Sequence, residues 1–193
     1  MATENSFSRF VSLACHDLRT PLATVSGFAH TLQQTEELGQ PADRYVEMIQ
    51  AASGQLSELL DDLGLVARLE DDRYAPSLVE ADTLELVQAA VSRLGEKAVG
   101  SGSGAVVRID RDHVERGVAA LALCALRHGG LERVELTADG SSVWIEPVIP
   151  SAAAIVLSED LKDLAAAAAR RVVEALGGSL TLEAERLQVR LPT

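Results

Sequence analysis

The segment FVSLACHDLRTPLATVSGF, residues 10–28, decides the fold of the first part of the chain. Apolar side chains recur through and beyond it every three or four residues, at Phe10, Ala14, Leu18, Pro21, Val25, Phe28 and Leu32. A second run has the same spacing, at Tyr45, Ile49, Ala52, Leu56, Leu59, Leu63 and Val66. Both periods are close to the 3.5-residue repeat of bundled helices, so the sequence predicts two antiparallel helices of about 25 residues each.

The polar stretch 33–40, followed by Pro41, separates the two runs. We expect Pro41 in the first turn of the second helix, where its missing N–H is tolerated. One hairpin cannot cover both apolar stripes by itself. Two hairpins paired in a four-helix bundle bury them all, which predicts a homodimer. The alternative is that the hairpin packs against the second half of the same chain.

His16 is the candidate reactive residue of the first helix. A rotation of ~100° per residue places it about 150° from the apolar stripe, toward solvent, with Thr20 one turn further on the same face. Asp17 and Arg19 flank this face, and we expect Pro21 to kink the helix just after it. A carboxylate that accepts one imidazole N–H leaves the other ring nitrogen free to attack an electrophile. The alternative interpretation is a surface histidine without function.

Beyond a charged linker at residues 70–77 (EDDRYAPS), the pattern changes to mixed helices and strands. We expect domains at 1–72 and 78–193, and an α+β fold in which a helical hairpin precedes a two-layer α/β sandwich. Helices are predicted at 82–95, 111–127 and 160–176, strands at 105–109, 133–137, 142–148, 179–183 and 187–191, and a flexible loop at GSGSG, 100–104.

Composition excludes several classes of protein. Among 193 residues, 47% are hydrophobic, and 17 basic against 29 acidic residues give a net charge of −12, which repels nucleic acid. No apolar run reaches the ~18 residues that span a bilayer, and the N-terminus lacks the form of a signal peptide. Two cysteines form no disulfide framework. We therefore expect a cytoplasmic protein without membrane insertion.

The block HDLRTPL, residues 16–22, resembles the phosphoacceptor motif of sensor histidine kinases, in their dimerisation and phosphotransfer domain. The resemblance extends over residues 10–70. It implies that His16 is the phosphorylated residue, that Asp17 assists phosphoryl transfer, and that Thr20 positions a water for dephosphorylation. Arg19 and Pro21 match the motif in supporting roles.

The second half resembles the ATP-binding domain of the same family without its nucleotide-binding elements. The two asparagines of the family's N-box fall on Ala120 and Cys124, and a thiol is a poor ligand for Mg²⁺. The stretch 143–156 lacks the aspartate and glycines of an adenine-binding turn, and 150–161 is too short for a nucleotide lid.

A second glycine-rich element is also missing. The glycines that approach the phosphates in the family fall on Leu161, Asp163 and Ala165, where side chains block the approach and a carboxylate repels phosphate. Cys124 and His128 lie one helical turn apart and could ligate a metal. No third ligand is apparent from the sequence, so a buried thiol and a helix-end histidine are the favoured interpretation. The chain is expected to hold no cofactor and no metal.

The resemblance is strongest to dimeric histidine phosphotransfer proteins. It implies that His16 accepts a phosphoryl group from the aspartate of one response-regulator receiver domain and donates it to another, with Mg²⁺ supplied by the receiver and without ATP. The receiver would dock on the surface around His16, including Ser12, Arg19, Thr20 and Ala23. Two alternatives stay open: an active sensor kinase with a divergent nucleotide site, and a non-catalytic dimeric pseudokinase that regulates a partner.

Overall fold

The computed structural model describes residues 2–35, 39 and 42–193, with the side chains of residues 8, 11–34, 39 and 42–193. The chain forms two compact units, Met1–Arg73 and Tyr74–Thr193, which are described separately. The predicted position of Pro41, most of the polar loop before it and the side chain of Phe10 lie outside the described residues.

The first unit is a hairpin of two long antiparallel helices, α1 (Ala2–Thr35) and α2 (Ala42–Glu70). Both helices are longer than the predicted length, because the helical conformation continues through polar residues at either end of each stripe. α1 also runs through Pro21 without interruption. None of the helices in the described part of the chain is long and apolar enough to span a bilayer.

The buried positions of the hairpin are mostly small. They are Cys15 and Ala29 on α1, and Val46, Ser53, Gly64, Leu65 and Ala67 on α2. The predicted apolar stripes lie next to these positions and face outward, with Phe28 68% and Leu56 51% exposed. Small side chains let two helices approach closely, so they form the contact inside the hairpin and leave the larger apolar side chains to solvent.

The second unit contains seven strands and four α-helices. Their bounds are β1 (Leu78–Asp82), α3 (Thr83–Leu94), β2 (Ala98–Gly104), β3 (Val106–Asp110), α4 (Arg111–Gly129), β4 (Val134–Gly140), β5 (Ser142–Glu146), α5 (Pro150–Val156), α6 (Leu164–Ala175), β6 (Ser179–Glu183) and β7 (Arg186–Arg190). The main sheet has the order β2-β4-β5-β7-β6, with β2 and β4 parallel and the other pairs antiparallel. β1 and β3 form a separate antiparallel pair.

Helices and sheet enclose one apolar core in this unit. Its largest fully buried side chains include Leu86 of α3, Leu121 of α4, Leu136 of β4, Ile145 of β5 and Leu187 of β7. α4 packs against α3, α5 and α6, and α3 also covers β2 and β4. The predicted α+β class, with a helical hairpin followed by a two-layer sandwich, is confirmed.

The flexible loop predicted at residues 100–104 is wrong, because this glycine-rich segment is part of β2. At Gly100 a Cβ atom would lie 2.7 Å from Cγ1 of Val87, and at Gly102 it would lie 2.0 Å from the carbonyl oxygen of Ala138. Gly102 also has a φ of +113°, which side chains disfavour. The glycines are therefore required by close packing, which sequence reading mistakes for flexibility.

The helix predicted at 160–176 starts four residues too early, because α6 begins only at Leu164. The short helix α5 lies before that range and was not predicted. Asp163 sets the start of α6, because its side chain accepts a hydrogen bond from the backbone N–H of Ala166 at 3.1 Å. A carboxylate at this N-cap position ends the preceding irregular segment and begins the helix.

Candidate functional site

His16 stands on the outside of α1, as the helical rotation predicts. Its side chain is 77% exposed and that of the neighbouring Asp17 is 68% exposed. Nδ1 of His16 lies 3.2 Å from Oδ1 of Asp17. In the tautomer with the proton on Nδ1, the ring donates this hydrogen bond and its Nε2 keeps a lone pair directed to solvent. The geometry is that of an accessible nitrogen nucleophile oriented by a carboxylate.

The other predicted residues of this surface surround His16 on the same helix. Arg19 donates a hydrogen bond to Oδ1 of Asp61 at 2.8 Å, which ties the surface to α2. Thr20 and Ala23 are exposed, one and two turns beyond His16. Ser12, one turn before it, is half-buried and accepts a hydrogen bond from Arg73 at 3.4 Å. The helix thus presents a continuous polar surface of about three turns centred on the imidazole.

Cys15 precedes His16 and turns inward. Cys15 is 1% exposed. A Cβ atom placed on Gly64 of α2 would lie 3.9 Å from the Cβ of Cys15. Because successive helical residues differ by ~100° in direction, burial of Cys15 in the hairpin holds the next side chain away from the contact between helices. The structure therefore fixes the backbone beneath His16 while it leaves the ring accessible.

The second unit places Ala120 and Cys124 on α4, at the positions that the resemblance assigns to magnesium-binding asparagines. Ala120 is half-buried and Cys124 is fully buried. Burial raises the pKa of the Cys124 thiol to about 12, and the carboxylate of Asp163 adds to this effect against the opposing charge of Arg127. The thiol is therefore protonated at neutral pH, and hard cations have little affinity for it.

Asp163 occupies the N-terminus of α6, where the resemblance predicts a phosphate-binding glycine. Its Oδ1 accepts the N–H of Ala166, and its Oδ2 lies 3.3 Å from Nη1 of Arg127 and 3.4 Å from Nε2 of His128. The side chain is 6% exposed. A carboxylate that belongs to the chain thus takes the place in which an anionic ligand would bind a helix N-terminus.

The helices around Asp163 are closely packed. A Cβ atom on Gly117 of α4 would lie 3.2 Å from the Cβ of Ala169 on α6, so these two helices touch almost backbone to backbone. α5 also packs against α4 and adds the buried side chains of Ala152, Ile155 and Val156. Leu161, at the first predicted glycine position, is 77% exposed.

A second carboxylate cluster was missed by the sequence analysis. Asp110, 5% exposed, accepts hydrogen bonds from the hydroxyl of Tyr74 at 2.9 Å, the N–H of Ser77 at 3.2 Å and Nδ1 of His113 at 2.9 Å. Burial would raise the pKa of Asp110, but these hydrogen bonds and the charge of His113 outweigh it and lower that pKa below 3.8. The cluster fixes the segment before β1 to the start of α4. Because Tyr74 and Asp110 are 36 positions apart, no local sequence pattern indicates that they are in contact.

A known family model matches the first unit. Residues 8–72 match the model of the His Kinase A (phospho-acceptor) domain, HisKA. Histidine protein kinase DivJ of Caulobacter vibrioides is 29% identical over 172 residues, which cover 81% of this chain and 28% of DivJ. The chain therefore spans less than a third of the length of this relative.

Solved structures extend the similarity to the second unit. Full-length ShkA in complex with AMPPNP superimposes with a TM-score of 0.68 at 21% identity, over 94% of this chain and 44% of ShkA. The histidine kinase AdeS of Acinetobacter baumannii gives a TM-score of 0.56 at 15% identity, over 92% of this chain and 98% of AdeS. At these identities the superpositions establish a shared fold.

Proposed function

Because this chain belongs to the sensor histidine kinase family, with a HisKA domain followed by an ATPase-like domain, we propose that it transfers phosphoryl groups through His16 in two-component signalling. The proposed partners are the receiver domains of response regulators. The observation that carries the proposal is the exposed imidazole with its Nδ1 on Asp17 and its Nε2 free, inside a matched phospho-acceptor domain. ATP has no part in the proposed cycle.

The proposed reaction is an exchange between two phosphorylated side chains. Nε2 of His16 attacks the phosphorus of an aspartyl phosphate on one receiver, the N–P bond forms, and the P–O bond breaks with its electron pair remaining on the aspartate. The reverse step passes the phosphoryl group to the aspartate of another receiver. Asp17 holds the ring orientation by accepting the Nδ1–H. Mg²⁺ of the receiver's acidic pocket neutralises the charge on the transferred group.

Two features of the second unit support a cycle without nucleotide. The N-terminus of α6 already binds the carboxylate of Asp163, which would repel a phosphate group from the same backbone amide. Cys124 is a buried thiol at the position that the resemblance gives to a magnesium-binding amide. Because α4 and α6 are in direct contact at Gly117 and Ala169, we infer that these helices serve as a scaffold.

A homodimer is part of the proposal. Both apolar stripes of the hairpin are exposed, and their side chains include Leu18, Val25, Phe28, Ile49, Leu56 and Leu59. Contiguous apolar surface of this kind marks an interface. A second hairpin would cover it in a four-helix bundle. Since His16 lies about 150° around α1 from the stripe, dimerisation leaves the imidazole accessible to a receiver.

The direct test incubates the full chain with receivers that carry a labelled aspartyl phosphate. The chain is expected to acquire an acid-labile, base-stable label, as a phosphohistidine gives, and His16→Gln is expected to abolish it. His30→Gln is the matched control, because His30 is an exposed histidine of the same helix. A chain that takes no label from any receiver would instead support a non-catalytic pseudokinase that regulates a partner.

A second candidate is an active kinase with a divergent nucleotide site, favoured by the likeness of the whole chain to a structure solved with AMPPNP. Labelled ATP distinguishes it from phosphotransfer alone. We expect no label from ATP in the absence of a kinase and a receiver. Autophosphorylation that His16→Gln removes would overturn the ATP-independent cycle.

A further inference from the structure

Three side chains with metal-binding groups converge between α4 and α6. Cys124 and His128 are four residues apart on α4 and lie on one face of the helix. Asp163 approaches them from the N-terminus of α6. The sulfur, one ring nitrogen and one carboxylate oxygen all lie within 4.8 Å of one another. The structure thus supplies the third ligand that the sequence does not reveal.

Nε2 of His128 is a buried nitrogen whose hydrogen-bonding capacity is not satisfied by the described protein atoms. It is buried and, in the described part of the chain, makes no hydrogen bond, although Oδ2 of Asp163 lies 3.4 Å away. Buried polar atoms of folded proteins almost always have a partner. Nε2 of His128 has no such partner and lies beside a thiol and a carboxylate. It is therefore suited to donate its lone pair to a cation.

We propose that Cys124, His128 and Asp163 bind one Zn²⁺ ion. On binding, the Cys124 thiol releases its proton to solvent, its sulfur and Nε2 of His128 each donate a lone pair, and Oδ2 of Asp163 completes the protein ligands. Water fills the fourth tetrahedral position. The proposal goes beyond phosphotransfer and does not depend on it, because it concerns residues of the second unit alone.

The choice of metal follows from the donor set. Thiolate and imidazole favour Zn²⁺ and Co²⁺, whereas Mg²⁺ and Ca²⁺ require oxygen ligands. Tetrahedral Zn²⁺ with bonds of 2.0–2.3 Å needs ligand atoms about 3.3–3.8 Å apart, so small side-chain rotations suffice to close the present separations.

Arg127 is the competing cation at this site. Its Nη1 is 3.3 Å from Oδ2 of Asp163, the oxygen assigned to the metal. The side chain of Arg127 is 62% exposed, so it can move into solvent when the ion binds. Asp163 keeps its hydrogen bond to Ala166 through Oδ1. Zinc would therefore join α4 to α6 without disturbing the cap of α6.

Cobalt titration of the full chain, stripped with EDTA, tests the proposal. We expect one equivalent of Co²⁺ to produce a thiolate-to-cobalt charge-transfer band and the intense visible bands of a tetrahedral site, both removed by one equivalent of Zn²⁺. Absence of the charge-transfer band, or bands of octahedral intensity, would overturn the proposal. Since this measurement uses the unmodified chain, misfolding of a variant cannot decide it.

Variants identify the ligands. Cys124→Ser is expected to lose the charge-transfer band, whereas Cys15→Ser, at the other buried cysteine, is expected to keep it. His128→Gln and Asp163→Asn are expected to weaken Zn²⁺ binding by at least about tenfold, since loss of residues that merely support metal ligands already has this effect. Asn caps helices as well as Asp, so Asp163→Asn leaves α6 intact. A band that survives Cys124→Ser, or affinity unchanged by the other two substitutions, would contradict the assignment.

Discussion

The two units of this chain distribute apolar side chains in opposite ways. In the hairpin, Phe28 and Leu56 are more than half exposed, and mostly small residues fill the contact between helices. In the α/β unit, Leu86, Leu121 and Ile145 are fully buried between helices and sheet. The second unit encloses its own core, whereas the hairpin leaves much of its apolar surface uncovered. Burial within the unit itself therefore accounts for the fold of the α/β unit but not for that of the hairpin.

The units also differ in the exposure of their reactive side chains. The imidazole of His16 is exposed and held by one carboxylate, which suits exchange with another protein. The thiol of Cys124 is buried among groups from two helices, which suits a fixed structural site. The exposed reactive side chain belongs to the unit whose apolar core is incomplete, and the buried one belongs to the unit whose core is complete.

The largest effect is expected from a charge in the exposed stripe. In the proposed homodimer, Leu56→Asp removes two leucines from a symmetric interface, each worth about 1.5–3 kcal/mol of burial, so we expect the dimer Kd to rise by more than about 100-fold. Light scattering coupled to size-exclusion chromatography measures the change. Leu161→Asp, the same substitution at a 77% exposed leucine of the second unit, is the control and should leave the oligomeric state unchanged. A Leu56→Asp protein that stays dimeric would contradict the bundle.

A glycine in each unit provides the next comparison. Gly102→Ala places a Cβ atom 2.0 Å from the carbonyl oxygen of Ala138 at a φ of +113°, and we expect a loss of about 2–5 kcal/mol in the free energy of unfolding. Gly54→Ala in α2 meets no atom within 4 Å and should stabilise its helix by about 0.5–1 kcal/mol. Denaturant unfolding measures both. Equal effects at the two sites would disprove the explanation that close packing requires glycine in β2.

The Asp110 cluster gives the second unit a pH-dependent contribution to stability. The pKa of Asp110 in the folded protein lies below 3.8, so its contribution is complete above that value and is lost as the pH falls toward the lower folded pKa. We expect Asp110→Asn to lower the unfolding free energy by about 1–2 kcal/mol at neutral pH, because hydrogen bonds to a charged acceptor are the stronger ones.

The test of this cluster is the same comparison in acid. As the pH falls below 3.8, the difference between the Asp110→Asn variant and the unmodified chain should shrink, since the carboxyl group becomes protonated first in the unfolded and then in the folded state of the unmodified chain. Urea unfolding at neutral and acid pH measures it. A difference that stays constant across this range would show that the charge of Asp110 contributes nothing.

The smallest effect is expected at the ion pair between Arg19 and Asp61. Nη2 of Arg19 lies 2.8 Å from Oδ1 of Asp61, but both side chains are more than 40% exposed. Exposed ion pairs contribute about 0.2–1 kcal/mol to stability. Arg19→Ala should therefore lower the thermal midpoint only slightly, and added salt should reduce the difference. A decrease larger than that of Gly102→Ala would mean that the hairpin depends on this pair.

Local patterns in the sequence predict much of this fold. The two stripes locate α1 and α2. His16 is exposed as predicted, although the stripe opposite it is exposed as well. Asp82 and Gly95 cap α3 at the two ends of its predicted range, because an N-cap carboxylate and a C-terminal glycine are signals contained in the sequence itself. Each of these predictions depends on residues within a few turns of one another.

The failures involve partners that are distant in sequence. β2 is a strand because Gly102 meets Ala138, 36 positions later, and no local property of GSGSG reveals that contact. Asp163 lies 35 positions beyond His128, so the third group of that cluster could not be assigned from spacing. Tertiary packing overrides local propensity at these sites.

The hydrogen bond between Asp163 and Ala166 gives one side chain two opposed effects. As a helix cap it contributes about 1 kcal/mol to stability, while the same carboxylate repels any phosphate from that helix end. Glycine at this position would make space for an anion but would remove the cap and the acidic partner of Arg127. Recovering an anion site at the start of α6 would therefore cost stability in the second unit.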